Sequence, residues 1–350
     1  MWSRRSFLRQ CVASSAGLAW AVHVRAEEKL DPLLTEAAQK AVKSGQAYLK
    51  DHQHKDGSFG TNTYEGSVGI TSLCGLALLS SGRRPGTDKA VDSALEFVIG
   101  QEDPKLAGFL HNAKASPHGP MYNHGFGLLF LAKAVGHITD RKAAEKPRDL
   151  LGRAVALTLK SQNGEKAWRY TPISQDSDLT VTTGQLIALL AARHAGVNVP
   201  QAAVDGAVGF IQGCQDRVSG GFRYMLQGAG PTSWTRTAAA LLALYSAGVT
   251  RGPVVEPGLA YLMKHRPDPK AEVPADIHFH FGHCHAALAT WSAGGDARNQ
   301  WYAAARDQLV ACQQADGSWK DQVCVHCGTA MVLIALQAPN GYLSPKVTPS

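Results

Sequence analysis

An all-α chain closed into a ring of six helix pairs is the fold this sequence predicts, and three observations predict it. A short pattern recurs at intervals of roughly fifty residues, a fixed period that marks a repeat architecture. It is clearest near the C-terminal end, as Leu309-Val310, Gln314 and Asp316-Gly317-Ser318-Trp319, and returns as Tyr48-Leu49, Gln53 and Asp56-Gly57-Ser58-Phe59, and as Phe210-Ile211, Gln215 and Gly221-Phe222. Weaker copies stand at Phe97 with Gln101, at Leu157 with Gln162 and Trp168, and at Tyr261-Leu262 with Arg266 in the glutamine's place. The second observation is an alternation of helix types, one wet on one face and the next apolar all round. The third is the lack of a polar capping repeat at either end, which an open stack requires.

In chain order, Ala38, Val42, Gly45, Tyr48 and Leu49 form the apolar stripe of the first amphipathic helix. The apolar runs 70–80, 126–135, 186–195, 238–247, 286–292 and 329–336 read as six buried inner helices. Five of them stop at a glycine suited to a left-handed cap (Gly82, Gly136, Gly196, Gly248, Gly294), and the sixth runs into Pro339. Strand patterns are nearly absent. The segments 102–119 and 267–276 read as long loops over a rim.

The first residues read differently. Ser3-Arg4-Arg5-Ser6-Phe7-Leu8-Arg9, the apolar run 11–22 and Ala26 have the charged front, apolar middle and small cleavage residue of a leader, and resemble a twin-arginine export signal. The expectation is a leader at 1–26, a single helical domain at 27–350, and a periplasmic or secreted product. Loss of Arg4, Arg5, Arg9 and Arg25 takes the formal charge from +7 to +3. With no Lys/Arg stripe interleaved with aromatics, nucleic acid is not an expected partner. No apolar run is long enough to span a bilayer, so no integral membrane segment is expected after cleavage.

The aromatic–aliphatic pair, the glutamine and the Asp-Gly-Ser-Trp turn resemble the repeats of squalene and hopene cyclases and of protein prenyltransferase β-subunits, over about residues 35–343. The resemblance implies an (α/α)6 toroid whose inner helices surround a largely apolar cavity, and hence an apolar small-molecule ligand. It also implies structural roles for Gln53, Trp168, Phe222, Gln314 and Trp319.

The densest cluster of chemically capable residues opens the last two inner helices, His283-Cys284 in the fifth and His326-Cys327 in the sixth. Read as equivalent positions of adjacent repeats, the two pairs face each other across one gap. Thiolate and imidazole are preferred zinc ligands, and a helix N-terminus favours the thiolate. A zinc site of His283, Cys284, His326 and Cys327 is therefore expected, with His278, His280, His285 and Cys324 near it. A Cys324–Cys327 disulfide, or plain packing of buried thiols and capping histidines, accounts for the same residues. In the prenyltransferase β-subunits a zinc is held by Asp, Cys and His at inner-helix starts. Cys284 and His326 are similar to the last two, while Gly282 stands where the aspartate would be.

Asp176-Ser177-Asp178, ahead of the third inner helix, is similar to the acid motif with which class II cyclases protonate an alkene. Asp178 and Asp176 are the catalytic candidates, with helix capping by Asp178 or Thr180 as the plain alternative. His124 is a candidate for the cavity wall, or a helix cap. No nucleophile elbow, phosphate loop or dinucleotide fingerprint is present, and no facing carboxylate pair suggests glycoside hydrolysis. The functional expectation is an exported toroid, with transferase-like or cyclase-like chemistry, that binds or modifies an isoprenoid-like or other apolar ligand. Its alternative is a non-catalytic binding or scaffold module on the same ring.

Overall fold

The computed structural model describes residues 33–226, 230–268 and 278–343. The leader at 1–26 and most of the loop 267–276 lie outside the described residues. Twelve α-helices and no strands are found among the described residues. The outer helices are α1 (Glu36–Asp51), α3 (Lys89–Ile99), α5 (Arg141–Lys160), α7 (Gln201–Gly213), α9 (Val255–Lys264) and α11 (Gly295–Ala311). The inner helices are α2 (Val68–Ser80), α4 (Pro120–Val135), α6 (Leu179–His194), α8 (Trp234–Ser246), α10 (Phe279–Ala293) and α12 (Val325–Leu336).

The two helix types pack as their sequences dictate. In α1 the buried residues are Ala38, Ala41, Val42, Gly45, Tyr48 and Leu49, one face of the cylinder, whereas every residue of α2 is buried. Each inner helix packs on the next, and α12 packs on α2, which closes the ring. Helix α1 lies against α12 and α11, so the first outer helix completes the last repeat. Of the five glycines expected at helix ends, Gly82, Gly196, Gly248 and Gly294 take positive φ, while Gly136 stays right-handed at φ −62°.

The repeated glutamine ties the outer layer together. In four repeats it is the residue directly after the outer helix's C-cap, and its amide donates twice, to its own turn and to the next outer helix. Gln53 bonds the carbonyls of Gly57 and Ala90, Gln162 those of Lys166 and Ala203, and Gln215 those of Gly220 and Val254. In the last repeat this residue is Gln313, bonded to Gly317 and Ala41, and not Gln314, which reaches only the Cys312 carbonyl. The correction is one of register: α11 ends with Cys312 as C-cap, as α1 ends with His52, so Gln313 is the counterpart of Gln53. Because Ala41 belongs to α1, the Gln313 bond also joins the last repeat to the first.

The aromatic of each turn is held from both sides. The indoles of Trp168 and Trp319 donate to the Thr158 and Leu309 carbonyls of the preceding outer helix. The backbone N–H groups of Phe59, Trp168, Phe222 and Trp319 donate to Thr71, Thr182, Thr237 and Thr329 in the first turns of the inner helices that follow. The structural roles expected for Gln53, Trp168, Phe222 and Trp319 are thus visible as hydrogen bonds or packing.

Candidate functional site

The six inner helices run parallel, so their N-terminal turns meet at one rim. They enclose there a cavity of about 420 Å³, a size that suits a small-molecule ligand. Ser67, Ile70 and Leu73 of the α2 region, Tyr122, Asn123 and Phe126 of α4, Thr180 of α6, Thr235 and Arg236 of α8, His278 and Phe281 at α10, and Cys327 and Met331 of α12 all line it. Loops add Tyr64, Tyr170, Tyr224, Asp321 and His118. The wall is therefore mainly apolar and aromatic, with polar groups spread around it: Ser67 and Asn123 by α2 and α4, Thr180, Thr235 and Arg236 at α6 and α8, His278 and Asp321 by α10 and α12. A second cavity of about 580 Å³ opens among the C-terminal halves of the inner helices, beneath residues 340–343. Leu73 and Phe126 touch both cavities and form the waist between them.

Asp178 stands at the start of α6, two residues before Thr180 of the wall. It is fully buried and caps α6, its Oδ1 accepting the Val181 N–H at 2.9 Å, while Oδ2 is buried with no hydrogen-bond partner. Burial pushes its carboxyl up to about 6, against the Val181 and Thr180 N–H groups, Arg169 and the Tyr224 hydroxyl, which favour the carboxylate. Tyr224 in turn shares a short hydrogen bond with Tyr170, and both rings line the cavity. The Arg169 guanidinium lies 5.1 Å from the Tyr170 ring centroid and 5.8 Å from that of Tyr224, and pairs with Asp176, which is exposed on the surface. Asp178 and Asp176 therefore part ways: the first is held against the tyrosine wall, the second points outward.

His124 does not reach the cavity. It is fully buried, its Nδ1 accepts the Leu110 N–H at 3.2 Å, and its Nε2 is 2.8 Å from the Thr158 hydroxyl. It does in the second repeat what Thr71, Thr182, Thr237 and Thr329 do elsewhere, holding the turn's backbone. Burial pushes its imidazole down to about 3.

The two His-Cys pairs are not equivalent in the fold. His283 is four residues into α10, whereas His326 is one residue into α12, a difference of almost one turn. His283 faces the outer layer, 5.2 Å from the Trp234 ring and 6.3 Å from Trp301. His326 turns toward α1, accepting the Gly60 N–H at 3.1 Å and packing edge-on to Phe59. Cys284 lines the far cavity and Cys327 the near one. Burial raises both thiols, Cys284 to about 12 and Cys327 well above its ordinary value. Among the described residues no three His, Cys, Asp or Glu side chains converge as a metal would require. The four proposed ligands, as placed, do not fit one zinc ion.

The missing aspartate at Gly282 has a steric reason. A Cβ there would come within 2.4 Å of the Trp234 ring, which occupies the space an acid would need. The contact across this gap is instead His280 with Asp321, Nδ1 to Oδ2 at 2.7 Å, with both side chains shielded from solvent. Asp321, Tyr170, Tyr224 and Arg236 escaped the sequence reading. They come from four separate segments, and none carries a local motif beyond Asp321's place in the turn before α12.

No protein-family model and no curated protein sequence matches the chain. Solved structures do. The α-1,6-mannanase GH76A of Salegentibacter sp. HEL1_6, in an inactive variant with α-1,6-mannotriose, is similar over 87% of this chain and 99% of its own, at 10% identity and a TM-score of 0.61. The type II terpene cyclase MstE from Scytonema, with merosterolic acid A, is similar over 89% and 99%, at 15% identity and a TM-score of 0.58. A protein from Actinoplanes is similar over 86% and 99%, at 16% identity and a TM-score of 0.53. The ring of inner and outer helices described above is thus the α/α toroid that a terpene cyclase and a mannanase also adopt.

Proposed function

We propose that the chain is an exported toroid that binds an isoprenoid-like apolar ligand in the amino-terminal cavity and acts on it through Asp178. The observation that carries this reading is the coincidence of an aromatic-walled cavity with a buried carboxyl behind it, linked by Tyr224 and Tyr170. Rings at Tyr64, Tyr122, Phe126 and Phe281 suit a ligand on which positive charge develops, since aromatic faces attract cations. A carboxyl raised to about 6 is partly protonated near neutrality, as a general acid must be. For a proton to reach an alkene carbon at the wall through the Tyr224–Tyr170 pair, Asp178 Oδ2, unpartnered here, would have to meet the Tyr224 hydroxyl. A mannanase-like reading has less support, because Asp321 is the only carboxylate among the described residues that line the cavity, and glycoside hydrolysis uses two.

The second reading, a non-catalytic binding module, rests on Asp178 being fully buried and serving as a helix cap. Asp178→Asn separates the two, because Asn caps as well as Asp but holds no acidic proton. Farnesol and geranylgeraniol are offered to the chain lacking residues 1–26, with binding followed by calorimetry and products by mass spectrometry. We expect both proteins to bind and only the wild type to convert. Binding without conversion by the wild type supports the module, and no binding by either overturns the cavity assignment.

A further inference from the structure

One charged group in the cavity has no acidic partner among the described residues. Arg236, the third residue of α8, lines the amino-terminal cavity and is half-buried. Its only hydrogen bond among the described residues runs from Nη2 to the Pro231 carbonyl at 2.7 Å. Nε is buried with nothing to donate to, and no carboxylate among the described residues pairs with the guanidinium. The one carboxylate in the cavity wall among the described residues, Asp321, is taken by His280 and by the Val323 N–H. A cation withdrawn from water without a counter-charge costs stability. The cost shows in the guanidinium itself, whose pKa burial lowers. Arg83, Arg153, Arg169, Arg223 and Arg306 each have an acid in place.

The surroundings complete a polar corner. Thr180, Tyr224 and Thr235 lie on the same side of the cavity. The N-termini of six parallel inner helices meet at this rim and add positive potential; α10 and α12 carry no side-chain cap that would offset it. The opposite wall carries the apolar Ile70, Leu73, Phe126, Phe281 and Met331, interrupted by Ser67, Asn123, His118, His278 and Asp321.

We infer that the ligand of this cavity is an amphiphile with a single carboxylate head, seated on Arg236, and an apolar tail against the opposite wall. The inference rests on the reading of the cavity as an apolar-ligand site and adds the head group. A guanidinium matches a carboxylate as a two-pronged donor, whereas a diphosphate brings more charge than one arginine offsets.

The test compares farnesoic acid, farnesol and farnesyl diphosphate by calorimetry on the wild-type chain and on Arg236→Gln and Arg236→Lys. The acid should bind the wild type at least tenfold more tightly than the alcohol or the diphosphate. Arg236→Gln should bring the acid down to the alcohol's affinity and leave the alcohol unchanged. Arg236→Lys should fall between, since an ammonium cannot form the fork. Thermal unfolding of ligand-free Arg236→Gln should match or exceed the wild type, because an unpaired buried charge has been removed, so a loss of binding is not a loss of fold. Equal binding of acid and alcohol by the wild type, an acid affinity insensitive to Arg236→Gln, or preference for the diphosphate overturns the inference while leaving the cavity reading intact. If none of the three binds, the cavity reading itself fails.

Discussion

Two buried titratable side chains have opposite consequences for stability, and both consequences can be measured. Asp178 has a folded pKa of about 6, above the ordinary carboxyl value. The folded state therefore holds its proton more tightly than the unfolded one, and stability falls as pH rises from about 4 to about 6. Asp178→Asn keeps the α6 cap and removes the titration. It should be more stable than the wild type at pH 7, by about 3 kcal/mol, and equal to it below pH 4. Denaturant unfolding across pH measures the difference; a mutant equally stable at all pH values would show that Asp178 is not buried as an acid. His124 works the other way, because its folded pKa is depressed to about 3. Its contribution is complete above the unfolded value of about 6.5 and is lost as pH falls toward 3, at roughly 1.4 kcal/mol per pH unit. Protonation would set a second N–H against the Leu110 N–H that Nδ1 now accepts. His124→Gln should flatten the acid limb of the wild-type curve between those two values. The sequence marks both residues as special by their place before or within an inner helix, but only the tertiary structure assigns them. Asp178 backs the cavity, whereas His124 replaces the threonine of the other repeats.

At the scale of the helix, what was legible was the existence and type of each element, because apolar spacing and all-round apolarity are local signals. Starts and stops were less so. The inner runs read from 286 and 329, whereas α10 begins at Phe279 and α12 at Val325, since His and Cys in a first turn do not look like a buried helix. That unequal extension makes His283-Cys284 and His326-Cys327 seem equivalent, and with true starts in hand they separate by almost a turn. The same kind of slip put Gln314 where Gln313 belongs. Helix-end chemistry decides this second case and predicts a contrast between neighbours. Gln313→Ala leaves the carbonyls of Ala41 and Gly317 without their donor and should cost about 1–3 kcal/mol. Gln314→Ala removes one local bond and should change stability by less than about 0.5 kcal/mol. Equal effects in thermal unfolding would contradict the role assigned to the residue after the C-cap.

For the whole molecule, closure was legible in the repeat and in the lack of capping units, but the seam that closes it was not. Nothing in the sequence says that α1 packs against the last inner helix. The seam is specific: Gln313 reaches Ala41, and Gly45 in α1 leaves room for Trp319, whose ring a Cβ at 45 would meet at 2.7 Å, with Leu333 at 3.0 Å. Gly209, also in an outer helix, has nothing within 4 Å of the corresponding point. The two glycines give a matched test of closure. Gly209→Ala should be neutral or stabilising by up to about 1 kcal/mol, the helix-propensity gain alone. Gly45→Ala gains the same propensity but must displace Trp319, and overpacking of this kind costs about 1–3 kcal/mol. In a closed ring the damage is shared, because the displaced indole is bonded to Leu309 and its backbone N–H to Thr329 at the start of α12. Amide exchange should accelerate in α1, α11 and α12 together in Gly45→Ala and in none of them in Gly209→Ala. Acceleration confined to α1 would mean that the first outer helix is an end that frays and not the piece that locks the ring.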